Sequence, residues 1–379
     1  MSDFLQAHIL TAYPPSNPNR DDLGRPKTAV IGGRQRQRIS SQALKRALRT
    51  STAFVTALQD HHGQRTQRLG DEIFDHLMAK GVPEEKARAA VRDVVAVFGK
   101  LEGADADTAT DDTKDADKAK TKAKKKDKTN GKDSSLRIRQ LAFISPDERR
   151  LAIELAEQVA AGKPLPENLS EVILQKADGA VDIAMFGRML ADNPAFNRDA
   201  AVQVAHAFTT NAVEIEDDYY TAVDDLKEPD EDAGAGFVGE AGFGAGVYYL
   251  YVCVDRELLV KNLAGDTKLA ARGLEAFMNA LATASPSGKR ASFANHVRPE
   301  FILLERGDAQ PRSLASAFTQ PVAASDQMAE SIKRLRSQRD AFAAAYGKGW
   351  TDEAALQVGD PAAATLDKLA VFAAAGLAP

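Results

Sequence analysis

The chain has 379 residues, 44% apolar and 27% charged, with a net charge of −5; that size predicts two to three structural units with a sizeable core. Mean hydropathy is −0.33 and no apolar run approaches the roughly 18–20 residues of a spanning helix, which excludes a helical membrane protein. The one cysteine, Cys253, excludes an intrachain disulfide and a multi-cysteine zinc site and fits a reducing, cytoplasmic setting, and Met1-Ser2-Asp3 opens no secretory signal.

Phe4 to Tyr13 reads as a strand, apolar on both faces and so central in a sheet, stopped by Pro14-Pro15. Residues 14–33 read as a loop. Ser41 to Thr50 reads as a helix capped by Ser40 or Ser41, with Leu44 and Leu48 on its buried stripe and Lys45 and Arg49 on another face. Residues 52–100 carry a helical pattern. Residues 103–135 start acidic and become a Lys/Ala/Asp/Thr tract without large apolar residues, which predicts a disordered or mobile segment. Its lysines read as a solvated tether or a loose nucleic-acid contact. Helical pattern returns at Asp147 to Ala161 and Asp199 to Phe208. Val213 to Gly246 is acidic, then Gly-rich, and too long for a plain turn. Val247 to Val254 is the clearest strand. Asp266 caps a helix with a stripe of Ala270, Leu274, Phe277, Met278 and Leu281. Phe301 to Leu304 is a short strand, and the tail reads helical over Asp326 to Tyr346 and Pro361 to Ala375. This order predicts a ferredoxin-like α+β core carrying large insertions.

The charge is segregated. Arg20 to Arg49 holds nine basic residues against Asp21 and Asp22, whereas Glu214 to Glu240 holds many carboxylates and one cation, Lys227. Arg34, Arg36 and Arg38 recur with a period of two, so an extended segment projects them to one side. They run into a helix start with backbone N–H groups at Ser40, Ser41 and Gln42. Cations, hydroxyls and a helix N-terminus together make a phosphate-binding surface without base readout; the alternative is a solvated basic loop. Asp21-Asp22 reads as a pair that orients Arg20 or Lys27, or as a Mg²⁺ or base pair. Gly187-Arg188-Met189 alone reads as a core methionine beside a cation. Tyr219-Tyr220, in an acidic and Gly-rich segment, suits stacking on bases, wedging between them, or packing on a neighbouring domain. The run Glu216, Asp217, Asp218 reads as an intersubunit or a solvated surface. His8 reads as a core residue, and His61 and His62 as a helical pair facing different ways. HExxH, GxSxG, Walker A and Cys-His spacings are missing, so no catalytic residue, metal or cofactor is predicted.

Asn19-Arg20-Asp21-Asp22, then Gly32-Gly33 with alternating basics, then Arg38-Ile39-Ser40-Ser41-Gln42-Ala43-Leu44-Lys45-Arg46-Ala47 resemble the N-terminal signature of the CasC family. Those proteins are the guide-RNA-wrapping backbone subunits of the type I-E CRISPR Cascade complex. Val181-Asp182-Ile183-Ala184, Gly187-Arg188-Met189, Ala205-His206-Ala207, Thr221-Ala222-Val223-Asp224-Asp225-Leu226 and Gly246-Val247-Tyr248-Tyr249 continue the resemblance in order. It covers roughly residues 1–60 and 178–320; the Lys-rich tract matches nothing in the family.

The resemblance implies an α+β fold with an RRM-like (ferredoxin-like) palm, a large helical fingers insertion and a β-hairpin thumb. The palm takes 1–51, 201–212 and 247–325, the fingers 52–200 with the insertion at 104–134, the thumb 213–246, and C-terminal helices 326–379. It implies several copies stacked head to tail on one CRISPR guide RNA, with other Cascade subunits as partners and target DNA reached through the guide. It places Arg20, Lys27, Ser40, Gln42, Lys45 and Arg46 at guide-backbone positions, Met189 where a methionine wedges at a kink, and Tyr220 at the thumb aromatic, with Tyr219 one register away. With Arg34, Arg36, Arg38 and Arg49 from the basic pattern and Arg188 beside Met189, these form the expected RNA-binding set. No aromatic RNP-type motif falls on the predicted strands, so the loop after the first strand and the thumb are expected to hold RNA, not the sheet face. Two rival readings are a metal-dependent ribonuclease of the related type III kind, using Asp21 or Asp22, and a monomeric single-strand RNA-binding module.

Overall fold

The computed structural model describes residues 3–102, 134–174, 179–222 and 237–377. The Lys-rich tract over 104–133, read above as disordered, lies outside them, as does Asp224-Asp225. The chain divides into two units: Met1–Gln59 with Ala201–Pro379, and Asp60–Ala200.

The first unit begins with β1 (Phe4–Ser16), β2 (Thr28–Ile31), β3 (Arg34–Ile39), α1 (Ser41–Arg49) and α2 (Thr52–Ala57). The second contains β4 (Gln64–Thr66), α3 (Leu69–Ala79), α4 (Glu84–Val95), β5 (Ala142–Ile144), α5 (Pro146–Ala160), α6 (Leu169–Ile173) and α7 (Val181–Phe186). The first unit resumes with β6 (Val202–Val204), β7 (Ala207–Thr209), β8 (Glu216–Ala222), β9 (Phe237–Asp255), α8 (Arg256–Asn262), α9 (Thr267–Thr283), α10 (Arg290–Phe293), β10 (Phe301–Gly307), α11 (Gln327–Tyr346), β11 (Asp352–Gln357) and α12 (Leu366–Ala374).

One antiparallel sheet organises the first unit, in the order β11-β10-β1-β9-β7-β3-β2, with β6 and β8 also on β9. Both faces are covered. Leu10, Tyr249, Phe301 and Leu303 pack under Phe318 and the Leu335 side of α11. Ile9, Tyr13, Tyr248 and Leu250 face Leu44 of α1 and Leu281 of α9. Two-sided burial explains why β1 and the Val247–Val254 part of β9 read as continuous apolar runs. His8 is a core residue, fully buried, with Nδ1 3.0 Å from the Tyr249 hydroxyl and Nε2 3.4 Å from Glu305. Burial pushes the Glu305 carboxyl up, but His8, Arg312 and Arg339 override it and hold it at about 2.

Several boundaries differ from the sequence reading. β1 runs through Pro14-Pro15 to Ser16, because a register shift after Tyr13 absorbs the missing N–H donors. Part of the expected 14–33 loop is β2, which turns into β3 through Gly32 (φ 59°) and Gly33 (φ 73°); two positive φ values match a primed hairpin turn. The 199–208 segment is not helical: β6 and β7 both pair with β9, and tertiary pairing overrides the local pattern. β11 was not anticipated. His61 ends a short 3₁₀ turn, with His62 just past it. In the second unit, Leu69, Ile73 and Leu77 on α3 pack with Val91 and Val94 on α4 and Leu155 on α5. Ser145 and Glu148 close a reciprocal cap at the start of α5.

Candidate nucleic-acid interface

The residues after β1 form a compact turn. Asp21 Oδ1 accepts from the Leu23 and Arg25 amides at 3.0 and 2.9 Å. The Asp21 N–H donates to the Arg25 carbonyl and the Lys27 N–H to the Asn19 carbonyl. Asp21 therefore shapes the turn that displays Arg20 and Lys27. Asn19 Oδ1 accepts from the Ser40 N–H at 2.8 Å, which ties this turn to the start of α1. The Ser40 hydroxyl caps α1 by accepting from the Ala43 N–H. Ser40 is buried and both its groups are engaged, so the three open N–H groups expected here reduce to those of Ser41 and Gln42.

Around this helix start, Arg20, Lys27, Arg34, Gln42, Lys45 and Arg46 make no side-chain hydrogen bond or ion pair to the described residues. Arg20, Arg34, Gln42 and Arg46 are exposed, and Lys27 and Lys45 half-buried. Burial lowers the Lys45 ammonium from its ordinary value. Arg49 is half-buried on the same helix. Together with the two N–H groups this is a donor-rich, acceptor-poor surface, the chemistry that holds phosphates.

Three expected members need correction. Arg36 is not open to solvent as Arg34 is. It is fully buried, donating through Nη1 to the Thr209 and Thr210 carbonyls (2.8 and 2.7 Å) and through Nη2 to Phe318 and Thr319 (3.0 and 3.4 Å). Arg34 and Arg36 lie on one side of β3, but the strand passes from an exposed end, Arg34-Gln35, into a buried stretch, Arg36-Gln37. Arg38 is half-buried and donates to the Thr28 carbonyl, with Nη1 3.1 Å from His206 Nδ1. Burial, then Arg38 and Lys27, lowers the His206 imidazole, which keeps it an acceptor. Arg188, in the second unit, is also buried, 2.7 Å from both Glu148 oxygens and donating to the Phe143 and Phe196 carbonyls. Met189, read from composition as a core residue, is 75% exposed. Arg188 anchors the turn that displays it.

The acidic, Gly-rich segment is a hairpin. β8 pairs with the first part of β9 from Glu216↔Phe243 to Ala222↔Phe237. Tyr219 is 68% exposed and Tyr220 41%, on opposite faces, and the Tyr220 ring lies across the backbone of Gly239. The hairpin base is fastened to the turn after β1. Buried Asn17 donates from Nδ2 to both the Gly24 and Gly242 carbonyls (3.1 and 2.9 Å), and Arg25 pairs with Asp217 at 3.1 Å. At Gly244 and Gly246 any Cβ would fall within 2.8 Å of Gln37 or 2.5 Å of Asn211. These glycines permit close crossing of β9 by its neighbours rather than flexibility. Asn17 was missed: a single buried amide between two carbonyls leaves no periodic signal.

Among the described residues no cluster of three His, Cys, Asp or Glu side chains could hold a metal ion, and no helix is long and apolar enough to cross a membrane. Cys253 is buried, which pushes its thiol up to about 11.

Comparison with known proteins locates this arrangement. A search of curated proteins finds no match. Among solved structures, the chain is similar to a chain of a "CRISPR RNA-guided surveillance complex, pre-nicking", with 29% identity, a TM-score of 0.78, and 98% of this chain and 100% of that chain covered. It is similar to a chain of another CRISPR RNA-guided surveillance complex, with 26% identity, a TM-score of 0.66, and 96% and 93% coverage. The profile of the CT1975-like proteins matches residues 5–377. The CasC resemblance of the N-terminal block and these matches agree, and the chain belongs to the CT1975-like family of CRISPR surveillance-complex backbone subunits.

Proposed function

We propose that this protein is a non-catalytic backbone subunit of a type I-E CRISPR Cascade complex. Several copies polymerise head to tail along the guide RNA, grip its phosphates, kink it at regular intervals and present it for pairing with target DNA. The observation that carries the reading is the match over 98% of this chain to a subunit of an RNA-guided surveillance complex. The open cations around α1 support it, since a subunit that must accept any guide needs phosphate contacts and leaves sequence to base pairing.

In this reading the first unit carries the palm and the thumb, and the second carries the fingers. The succession β1–α1–β7–β9–α9–β10 and the strand order β10-β1-β9-β7 support an RRM-like palm. The coverage of both sheet faces favours the loop after β1 and the β8–β9 hairpin as the RNA-holding parts. Met189 and one of Tyr219 and Tyr220 are the wedge candidates, being exposed apolar groups on anchored turns and strands. The role of Asp21 as a turn former, together with the exposure of Asp22, gives no support to the ribonuclease reading.

Co-expression with a CRISPR guide tests the proposal. Native masses rising by one subunit with guide length, with evenly spaced nuclease-sensitive positions, are expected. A single subunit per RNA with irregular protection would leave a monomeric RNA-binding module instead.

A further inference from the structure

The second unit holds a buried acid that the RNA-binding reading leaves without a role. Asp182, the second residue of α7, is fully buried. Its Oδ1 accepts from the Gly63 N–H at 2.8 Å and from the Ile183 N–H at 3.1 Å. Its Oδ2 lies 3.4 Å from His62 Nε2. Gly63 has little room for a side chain, since a Cβ there would come within 3.0 Å of the Ile144 carbonyl and 3.2 Å of Ile183. The carboxylate therefore pins the first turn of α7 to the backbone just before β4, where the two approach closely.

From Gly63 the contacts run in a closed circuit. β4 pairs with β5, with Arg65 opposite Phe143. The Phe143 carbonyl and both Glu148 oxygens accept from Arg188 Nη1, at 3.3, 2.7 and 2.7 Å. Arg188 follows Gly187, whose N–H ends α7 on the Ile183 carbonyl and whose φ is 78°. The Arg188 and Arg198 backbones exchange hydrogen bonds in both directions. Both ends of α7 are thus tied to the β4–β5 pair, by Asp182 in its first turn and by Arg188 just past its last residue. Met189 is next in the chain and leaves this mount 75% exposed.

A methionine side chain is unbranched and adaptable, so the protein fixes where it acts by fixing the backbone that carries it. Buried polar networks with their hydrogen bonds made are directional and rigid in a way that apolar packing alone is not. A functional group needs such support from the residues behind it. We propose that Asp182, braced by His62, is a positioning residue for RNA kinking: it sets α7, and with it the point at which Met189 meets the strand. The proposal rests on the reading of Met189 as a wedge.

The test places 2-aminopurine at successive positions of a guide bound by the full chain, since that base brightens where it is unstacked. Evenly spaced bright positions are expected for the wild type. Asp182→Ala is expected to lower the contrast between bright and dark positions about two- to threefold, the ratio that coupling at the low end for residues of one network produces. The ladder of native masses on the guide is expected to stay as in the wild type. Asp182→Asn keeps an Oδ1 acceptor for Gly63 and is expected to restore most of the contrast. Met189→Ala is expected to lose at least as much as Asp182→Ala, and the double variant no more than Met189→Ala alone, because a shifted mount then has no wedge to misplace. His62→Ala removes the brace and leaves the Oδ1 bonds; a smaller loss is expected, and it decides alone if Asp182→Ala does not fold.

Wild-type contrast in folded Asp182→Ala, or in His62→Ala where that variant must decide, would overturn the positioning role and leave the wedge standing. Losses that add in the double variant mark a general loosening of the fold and overturn the role as well. Wild-type contrast in Met189→Ala, or a wild-type complex without evenly spaced bright positions, overturns the wedge reading and the proposal with it.

Discussion

The Arg36 guanidinium meets four backbone carbonyls and no carboxylate, so its charge is solvated by peptide dipoles drawn from β7 and from the 315–319 turn. Burial lowers its pKa, but not enough to discharge an arginine. Removing it strands those carbonyls in the core, and each unpaired buried acceptor costs about 1–3 kcal/mol. Arg36→Ala is therefore expected to destabilise the protein by about 3 kcal/mol or more, read as a loss in thermal or denaturant unfolding. Arg34→Ala, two residues away and exposed, is expected to stay within about 0.5 kcal/mol. Equal stability losses in the two would sink the assignment. The period of two in Arg34, Arg36 and Arg38 was legible, because strand geometry sets it. That the protein covers this side at Arg36 and leaves it open at Arg34 was not, because that depends on carbonyls contributed 170 residues and more downstream. Arg188 taught the same lesson in the second unit: a basic residue beside an exposed methionine reads as a ligand contact until its buried partner, Glu148, is seen.

At the level of elements, the β8–β9 hairpin and the turn after β1 behave as one piece. Asn17 joins Gly24 to Gly242, Arg25 joins Asp217, and the neighbours of β9 cross it where Gly244 and Gly246 leave no side chain. The exposed Arg25–Asp217 pair contributes little by itself, since such pairs are worth about 0–1 kcal/mol. The buried Asn17 amide carries the link. Asn17→Ala is expected to cost about 2–3 kcal/mol and to speed amide hydrogen exchange across Glu216–Ala222, while α3, α4 and α5 exchange as before. Unchanged exchange in β8 would show that the hairpin holds its position without this amide. The Gly-rich composition marked this segment as unusual, and its β8 strand lacked any buried face to give it away, all seven residues being exposed. A strand without burial has no hydrophobic alternation to read. β1, the Val247–Val254 part of β9, and α9 were legible for the opposite reason, since each is buried along most of its length.

For the whole molecule, the net charge of −5 conceals a separation that stacking can use. The open cations gather around α1, and the acidic strand β8 stands away from the core with Glu216, Asp217 and Asp218 in sequence. A contact between unlike surfaces of identical copies does not close on itself and propagates as a filament. Screening falls with a length of about 8 Å at physiological ionic strength, so such a contact must be close to matter. In the proposed assembly, binding to RNA and stacking are linked: each bound copy would place its cations on the strand and offer the next copy a neighbour. Charge reversal at Lys45 and Arg46 together removes two of the proposed phosphate contacts and adds two repulsive charges on one helix. It is expected to abolish guide binding and multi-copy assembly in the same experiment, because copies that cannot hold RNA have no track on which to stack. Leu44 and Leu48 keep α1 on the sheet in that variant, so its melting temperature is expected to remain within a few degrees of wild type. A folded double variant that still gives the full ladder of native masses on a guide would remove α1 from the RNA-holding surface and shift that role to the turn after β1 and the hairpin.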